Sequence, residues 1–246
     1  MKIVERPSPN FNERQNNGPV DILVLHYTGM PDAESAMKLL TTVEGKVSSH
    51  YTVDEDGTVY AHVPENLRAW HAGISSWGGV SDINSRSIGI EIVNPGHEWG
   101  YRPFVPAQIA AVTALCNGIL KRWPIPPARV LAHSDIAPGR KIDPGELFPW
   151  DQLAKQGIGR WPSAHLPTGA APSIGAGAQG DQVARLQGAL ARYGYGIEVT
   201  GNFDERSQTV VSAFQRHFRR SNFDGVADGE TQAILGDLLN QLDAVA

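Results

Sequence analysis

Residues 21–29 read DILVLHYTG, and Gly29, Met30 and Pro31 stop the run. Ile22 to Leu25 are apolar without alternation, over a stretch too short for a helix. Such a segment suits a strand buried on both faces. His26 stands at the end of this strand, where open sheets place site residues.

Working outward, PDAESAMKLLTT (31–42) has the pattern of a helix, and KVSSHYTVDEDGTVYAHVPE (46–65) that of two strands around the Asp56-Gly57 turn. RSIGIEIVN (86–94) alternates, setting Ile88, Ile90 and Ile92 on one face and Ser87, Gly89 and Glu91 on the other. VPAQIAAVTALCNGILKRW (105–123) has helical spacing ended by Pro124, and ARVLAHSD (128–135) supplies a last strand. Strands interleaved with helices predict an α/β fold, a mixed central sheet flanked by helices.

At SAHLPTGAAPSIGAGAQG (163–180) Ala, Gly, Pro and Ser displace the apolar periods, which predicts a flexible linker. Beyond it the pattern is helical only. Val183, Leu186, Leu190 and Tyr193 share one face, Val210 or Val211 shares another with Phe214 and Phe218, and Ile234, Leu235 and Leu238 share a third. Asp181, Asp204 and Asp228 suit helix starts. The expected organisation is therefore a first domain over 1–162, a linker over 163–180 and a small all-α three-helix domain over 181–246.

The chain has 246 residues, 41% of them hydrophobic, and a net charge of −5. With no basic run, nucleic acid and anionic membrane surfaces are not expected partners. Cys116, the single cysteine, falls in a helical apolar run and reads as a buried residue. The N-terminal stretch MKIVERPSPNFNERQNNGP lacks the apolar core of a secretory signal, and no run of about 18 apolar residues spans a bilayer. The expectation is a cytoplasmic chain.

The chemistry concentrates in HSDIAPGRKIDPG (133–145). His133 ends an apolar stretch as His26 does, and Asp143 follows ten residues later in a loop stiffened by Pro138, Gly139, Pro144 and Gly145. Two strand-end histidines and a carboxylate match a zinc shell of three protein ligands with an open fourth position. Glu91, on the small-residue face of its strand, is a candidate general base, and Lys141 a candidate source of positive charge for a developing oxyanion. Taken singly, each has a plainer reading: a strand-capping histidine, an ion-paired glutamate, a solvated lysine. Asp135 reads as a residue that hydrogen-bonds its own loop. Trp70, Trp77 and Trp99 can stack on sugar rings or pack in a core. His50 and His71 are placed near the cleft, and His62, His97, His165 and His217 on the surface.

LHYTG (25–29), WHAG (70–73), NSRSIGIEIVN (84–94) and HSDIAPGRKIDPG (133–145), in this order, resemble the zinc-dependent N-acetylmuramoyl-L-alanine amidases of the amidase 2 family. The resemblance covers roughly residues 20 to 155. It implies that His26, His133 and Asp143 bind Zn2+, that Glu91 is the catalytic acid/base, and that Lys141 stabilises the transition state. His71 and Trp70 would line the substrate groove, with Asn84 and Arg86 against the peptide stem. The implied substrate is peptidoglycan or an anhydro-muropeptide. GDQVARLQGALARYGY (180–195), TGNFDERSQTVVSAFQ (200–215) and DGVADGETQAIL (224–235) resemble the three-helix peptidoglycan-binding domain of wall hydrolases. A non-catalytic recognition protein on the same scaffold is the alternative, and the full set of His26, His133, Asp143, Glu91 and Lys141 favours the enzyme. A wall-binding tail points to the sacculus, whereas a missing signal points to recycling inside the cell.

Overall fold

β3 (Ile22–Tyr27) is the hub of the architecture: it pairs in parallel with β7 (Ser87–Ile92) on one side and with β8 (Val130–Ala132) on the other. β4 (Tyr51–Val53) adds in parallel to β7, β5 (Val59–Ala61) adds antiparallel to β4, and β1 (Ile3–Glu5) closes the edge in parallel with β5. The sheet is therefore mixed, in the order β1-β5-β4-β7-β3-β8, while β2 (Phe11–Glu13) and β6 (Leu67–Ala69) form a separate antiparallel pair. The computed structural model describes residues 2–15, 18–163 and 171–244.

Period two sorts the side chains of the central strands. Leu23, Leu25, Ile88, Ile90, Ile92 and Val130 meet Ile109, Val112, Leu115, Cys116 and Ile119 of the helix Pro106–Arg122. Each fully buried Leu or Ile contributes about 1.5–3 kcal/mol. Cys116 is buried here, and desolvation pushes its thiol up to about 12, so it is inert packing. The opposite face carries Ile22, Val24 and Leu131, which pack with Ala72, Trp77, Ile83, Ile136 and Ala137.

That second apolar cluster does not stop at the sheet. It runs on into Leu186, Leu190, Tyr193, Tyr195, Val210, Phe214 and Phe218 of the C-terminal helices Asp181–Tyr193 and Glu205–Phe218, and to Ile234, Leu235 and Leu238 of Gly229–Asp243. Asp204 and Asp228 cap their helices by accepting the Ser207 and Thr231 N–H groups, whereas the first helix is preceded by Gly180, and Asp181 lies within it. Residues 171–180, read from composition as linker, are built into this unit: Ile174 and Ala227 exchange backbone hydrogen bonds at 2.9 and 3.0 Å, and Gly180 N–H donates to Gly201 O at 2.8 Å. Among the described residues, no helix is long and apolar enough to cross a membrane.

Two histidines expected on the surface are buried: His62 bonds Arg6 O and Thr52, and His217 lies against the first domain. His97 is exposed as expected, and His165 lies outside the described residues. Trp77 is core, stacked edge-on with Tyr193 and Tyr195, and Trp99 is exposed.

His50 ties β4 to β7. Its Nδ1 accepts the Gly89 N–H at 3.0 Å and its Nε2–H donates to Leu67 O at 3.2 Å, a pattern only the neutral ring satisfies. Burial, helped by Arg14, lowers it to about 3. The unfolded chain takes up this proton below about pH 6.5. Stability from His50 is therefore complete above that pH and falls as pH drops toward 3, by up to about 1.4 kcal/mol per pH unit. Denaturant titrations at pH 7.5 and 5 should show a smaller loss for His50→Asn, whose amide oxygen can replace Nδ1, than for the parent chain. Equal losses would refute the assignment.

Candidate metal centre and its cleft

The sheet delivers three chemistry-bearing side chains to one place. His26 lies opposite Glu91 in the β3–β7 register, both near the carboxyl ends of their strands. They share the face of Val24, and His133, immediately after β8, continues the alternation from Leu131 on that face. The loop from His133 then returns Asp143, and the Ser134 N–H donates to Asp143 O at 3.0 Å. The result is a triangle: His26 Nδ1 to His133 Nδ1, 2.9 Å; His26 Nδ1 to Asp143 Oδ2, 3.1 Å; His133 Nδ1 to Asp143 Oδ2, 3.0 Å. All three residues are buried.

Hydrogen bonds behind the triangle decide where the imidazole protons sit. Ser87 Oγ–H donates to Ile83 O at 2.7 Å, so the same oxygen must accept from His71 Nε2–H at 3.0 Å. His71 Nδ1, left without a proton, accepts from His26 Nε2–H at 3.0 Å. His133 Nε2–H donates to Ala72 O at 3.1 Å. Each ligand histidine therefore spends its proton away from the site. Burial, joined by His133, lowers His26 to about 4, and burial likewise lowers His71 well below the ordinary histidine value. With neutral rings, three lone pairs converge within 3.1 Å with no proton between them. A metal ion resolves that repulsion, and two nitrogens with one carboxylate oxygen suit a three-ligand site with an open position.

A cleft of about 350 Å³ opens over the triangle, lined among others by Tyr27, Trp70, His71, Glu91, Lys141 and Asp143. Glu91 Oε2 is buried and has no hydrogen-bond partner. Burial pushes its carboxyl well above the ordinary value, the Asp143 charge adds to this, and Lys141 offsets part of it. Trp70 forms a wall and is held by its Nε1–H to Asn12 Oδ1 at 2.8 Å.

Asn84 and Arg86 are not among the residues lining this cleft. Asn84 Oδ1 accepts the His71 and Ala72 N–H groups at 3.0 and 2.9 Å, which makes it a brace for the WHAG turn. Arg86 sits before β7, at the far end of the strand from Glu91, paired with Asp21 and with Pro19 O. His50 is beneath His71 and not in the cleft. The sequence reading missed Ser87 as the anchor of His71, although it placed Ser87, Gly89 and Glu91 on one face. Gly89 leaves the space His71 occupies: a Cβ there would meet its ring at 2.4 Å.

Comparison with known proteins agrees with this site. The N-acetylmuramoyl-L-alanine amidase family pattern matches residues 16–146, which include every residue of the triangle. The chain belongs to this amidase family. A peptidoglycan binding domain pattern matches residues 179–235. The amidase AmiD of Escherichia coli is 44% identical over 90% of this chain and 83% of its own length. The 1,6-anhydro-N-acetylmuramyl-L-alanine amidase AmpD of Haemophilus influenzae is 32% identical over 59% of this chain and 86% of its own. The solved complex of E. coli AmiD with anhydro-N-acetylmuramic acid-L-Ala-D-gamma-Glu-L-Lys superposes with a TM-score of 0.78 and 41% identity, over 94% of this chain and 98% of that one. The likeness to AmiD extends through the helical domain of this amidase, and the likeness to AmpD does not cover the whole chain.

His71→Ala removes the acceptor that fixes the His26 proton on Nε2. Zn2+ affinity, measured by competition with a chromogenic chelator, should fall about 10- to 100-fold. Unchanged affinity would remove the basis for this proton assignment.

Proposed function

We propose that this amidase hydrolyses the amide bond between N-acetylmuramic acid, or its 1,6-anhydro form, and the L-alanine of the peptide stem, with zinc held by His26 Nδ1, His133 Nδ1 and Asp143 Oδ2. The observation that carries the reading is the converging trio of acceptors on the floor of a cleft beside an unpartnered, buried carboxyl group. Zinc in that position supplies Lewis-acid polarisation and a water acidified to about pKa 7.

The chain's own residues account for the rest. Asp143 is the anion among the three donors and lowers the net charge of the site. Glu91 takes a proton from the attacking water and returns it to the nitrogen of the departing L-alanine. A carboxyl pushed up by burial is suited to hold that proton between the two events. Lys141, on the cleft wall, places its ammonium toward the oxygen that gains charge as the carbonyl becomes tetrahedral. Trp70 offers an apolar wall to a sugar ring, and His71 acts from below the floor.

Two forms of substrate carry the same bond. The helical region's match to a peptidoglycan binding domain supports wall material and a wall-associated role. The anhydro sugar in the AmiD complex supports a soluble anhydro-muropeptide. Digestion of purified sacculi and of anhydro-muropeptide, followed by mass spectrometry, should release free stem peptide, and chelator should abolish it. Activity that survives exhaustive chelation would end the zinc reading.

Separate variants divide the roles. Asp143→Ala should lose zinc and activity together, whereas Glu91→Ala should retain zinc by metal analysis and lose turnover by about 10²- to 10⁴-fold. A zinc-free Glu91→Ala protein, or one of full activity, would contradict the assignment.

A further inference from the structure

The loop that carries His133 and Asp143 is gripped by the helical domain. Asp135, two residues after His133 and fully buried, is the main handle. Its Oδ2 accepts the Ala132 N–H at 2.8 Å, which folds the His133–Ile136 turn onto the end of β8. The expectation that Asp135 serves its own loop is thus half the account. Oδ1 accepts from Tyr195 Oη–H at 2.7 Å, and Oδ2 also accepts from His217 Nδ1–H at 2.7 Å. Both donors belong to the helical domain.

Further contacts follow the loop along its length. Arg206 donates to Pro138 O at 3.1 Å, Arg216 pairs with Glu146 at 2.7 Å, and Arg220 donates to Phe148 O at 2.9 Å. Arg206, Arg216 and His217 lie on the helix Glu205–Phe218, and Arg220 lies just beyond it. The His217 ring stacks on Trp150 with centroids 3.9 Å apart. One helix therefore braces the segment on both sides of Asp143, and the Asp135 carboxylate has two of its three donors only when the helical domain is docked. A buried carboxylate deprived of its donors is costly.

We propose that the helical domain is a structural part of the metal centre, with Tyr195 and His217 acting as positioning residues that hold His133 and Asp143 in register through Asp135. This rests on the reading of His26, His133 and Asp143 as zinc ligands. A module that only tethers the enzyme to its substrate would contribute nothing to metal affinity; this one sets it.

The test uses the full chain, well below its melting temperature. Tyr195→Phe removes one hydrogen-bond donor with little change in shape, and His217→Ala removes the other, while His217→Asn restores an N–H near the Nδ1 position. Leu238→Ala loosens the helical core without touching Asp135. Zinc affinity is read by chelator competition and loop mobility by hydrogen exchange of residues 133–145 in metal-free protein. Tyr195→Phe should weaken zinc binding by about 10-fold, with faster exchange in that segment. His217→Ala should do the same if it folds, and His217→Asn should recover most of the affinity. Leu238→Ala should lower the melting temperature with affinity unchanged. Parental affinity in Tyr195→Phe, or an equal loss in Leu238→Ala, overturns the proposal while leaving the zinc reading intact. A parent chain that binds no zinc overturns both.

Discussion

Three electron-pair donors aimed at one point form an unfavourable arrangement that the rest of the molecule is built to maintain. His26 Nδ1, His133 Nδ1 and Asp143 Oδ2 stand 2.9–3.1 Å apart in a buried setting. A free choice of tautomer would relieve this, since a proton moved onto either Nδ1 turns a contact of that nitrogen into a hydrogen bond. The fold withholds that relief by giving each of these imidazole protons an acceptor outside the triangle: His71 for His26, Ser87 for His71, Ala72 O for His133. A tautomer shift at His26 would strand His71 Nδ1 in the interior, at a cost of about 1–3 kcal/mol.

This demand explains why the site sits where it does. Adjacent parallel strands put their carboxyl ends side by side, so two ligands and Glu91 can project from β3, β8 and β7 on a common face with little local adjustment. The third ligand comes from a loop, which has no ladder to hold it. Rigidity is supplied from outside: Tyr101 Oη–H donates to Pro144 O at 2.7 Å, and the helical domain holds Asp135, Pro138 and Glu146. The helical unit gains in return. Three helices of this length bury little surface alone, and Trp77, Ile136 and Ala137 of the first domain complete their core.

The features most legible in the sequence were those governed by period. Ile22–Leu25 and the alternation Ile88, Ile90, Ile92 named the central strands and the face on which Glu91 lies; the helical stripes ending in Tyr193, Phe218 and Leu238 named the last three helices. The convergence of His26, His133 and Asp143 was legible because the two histidines end apolar runs and Asp143 follows in a proline- and glycine-fixed loop. Illegible features depend on partners distant in the chain. β1, β2 and β6 are three residues each, too short to display a period. Gly- and Ala-rich residues 171–180 looked like tether because the backbone hydrogen bonds of Ile174 and Gly180 that hold the segment leave no mark on composition. His217 and Asp135 are 82 positions apart, so nothing near either one announces a buried pair. Arg86 belongs to a motif next to Glu91, yet a six-residue strand separates the two ends and carries it to the opposite edge.

Proton placement also separates the two carboxyl groups of the cleft. Asp143 lies against two imidazoles; Glu91 is half-buried, its enclosed Oε2 has no hydrogen-bond partner among the described residues, and desolvation together with the Asp143 charge pushes it above the ordinary value. The first carboxylate thus raises the second, and each assignment depends on the other. Divergent environments for neighbouring carboxyl groups are how one site supplies a fixed anion and a proton carrier together. Lys141 counters part of the upward push on Glu91, so the ammonium proposed for the developing oxyanion also limits how weak an acid Glu91 becomes.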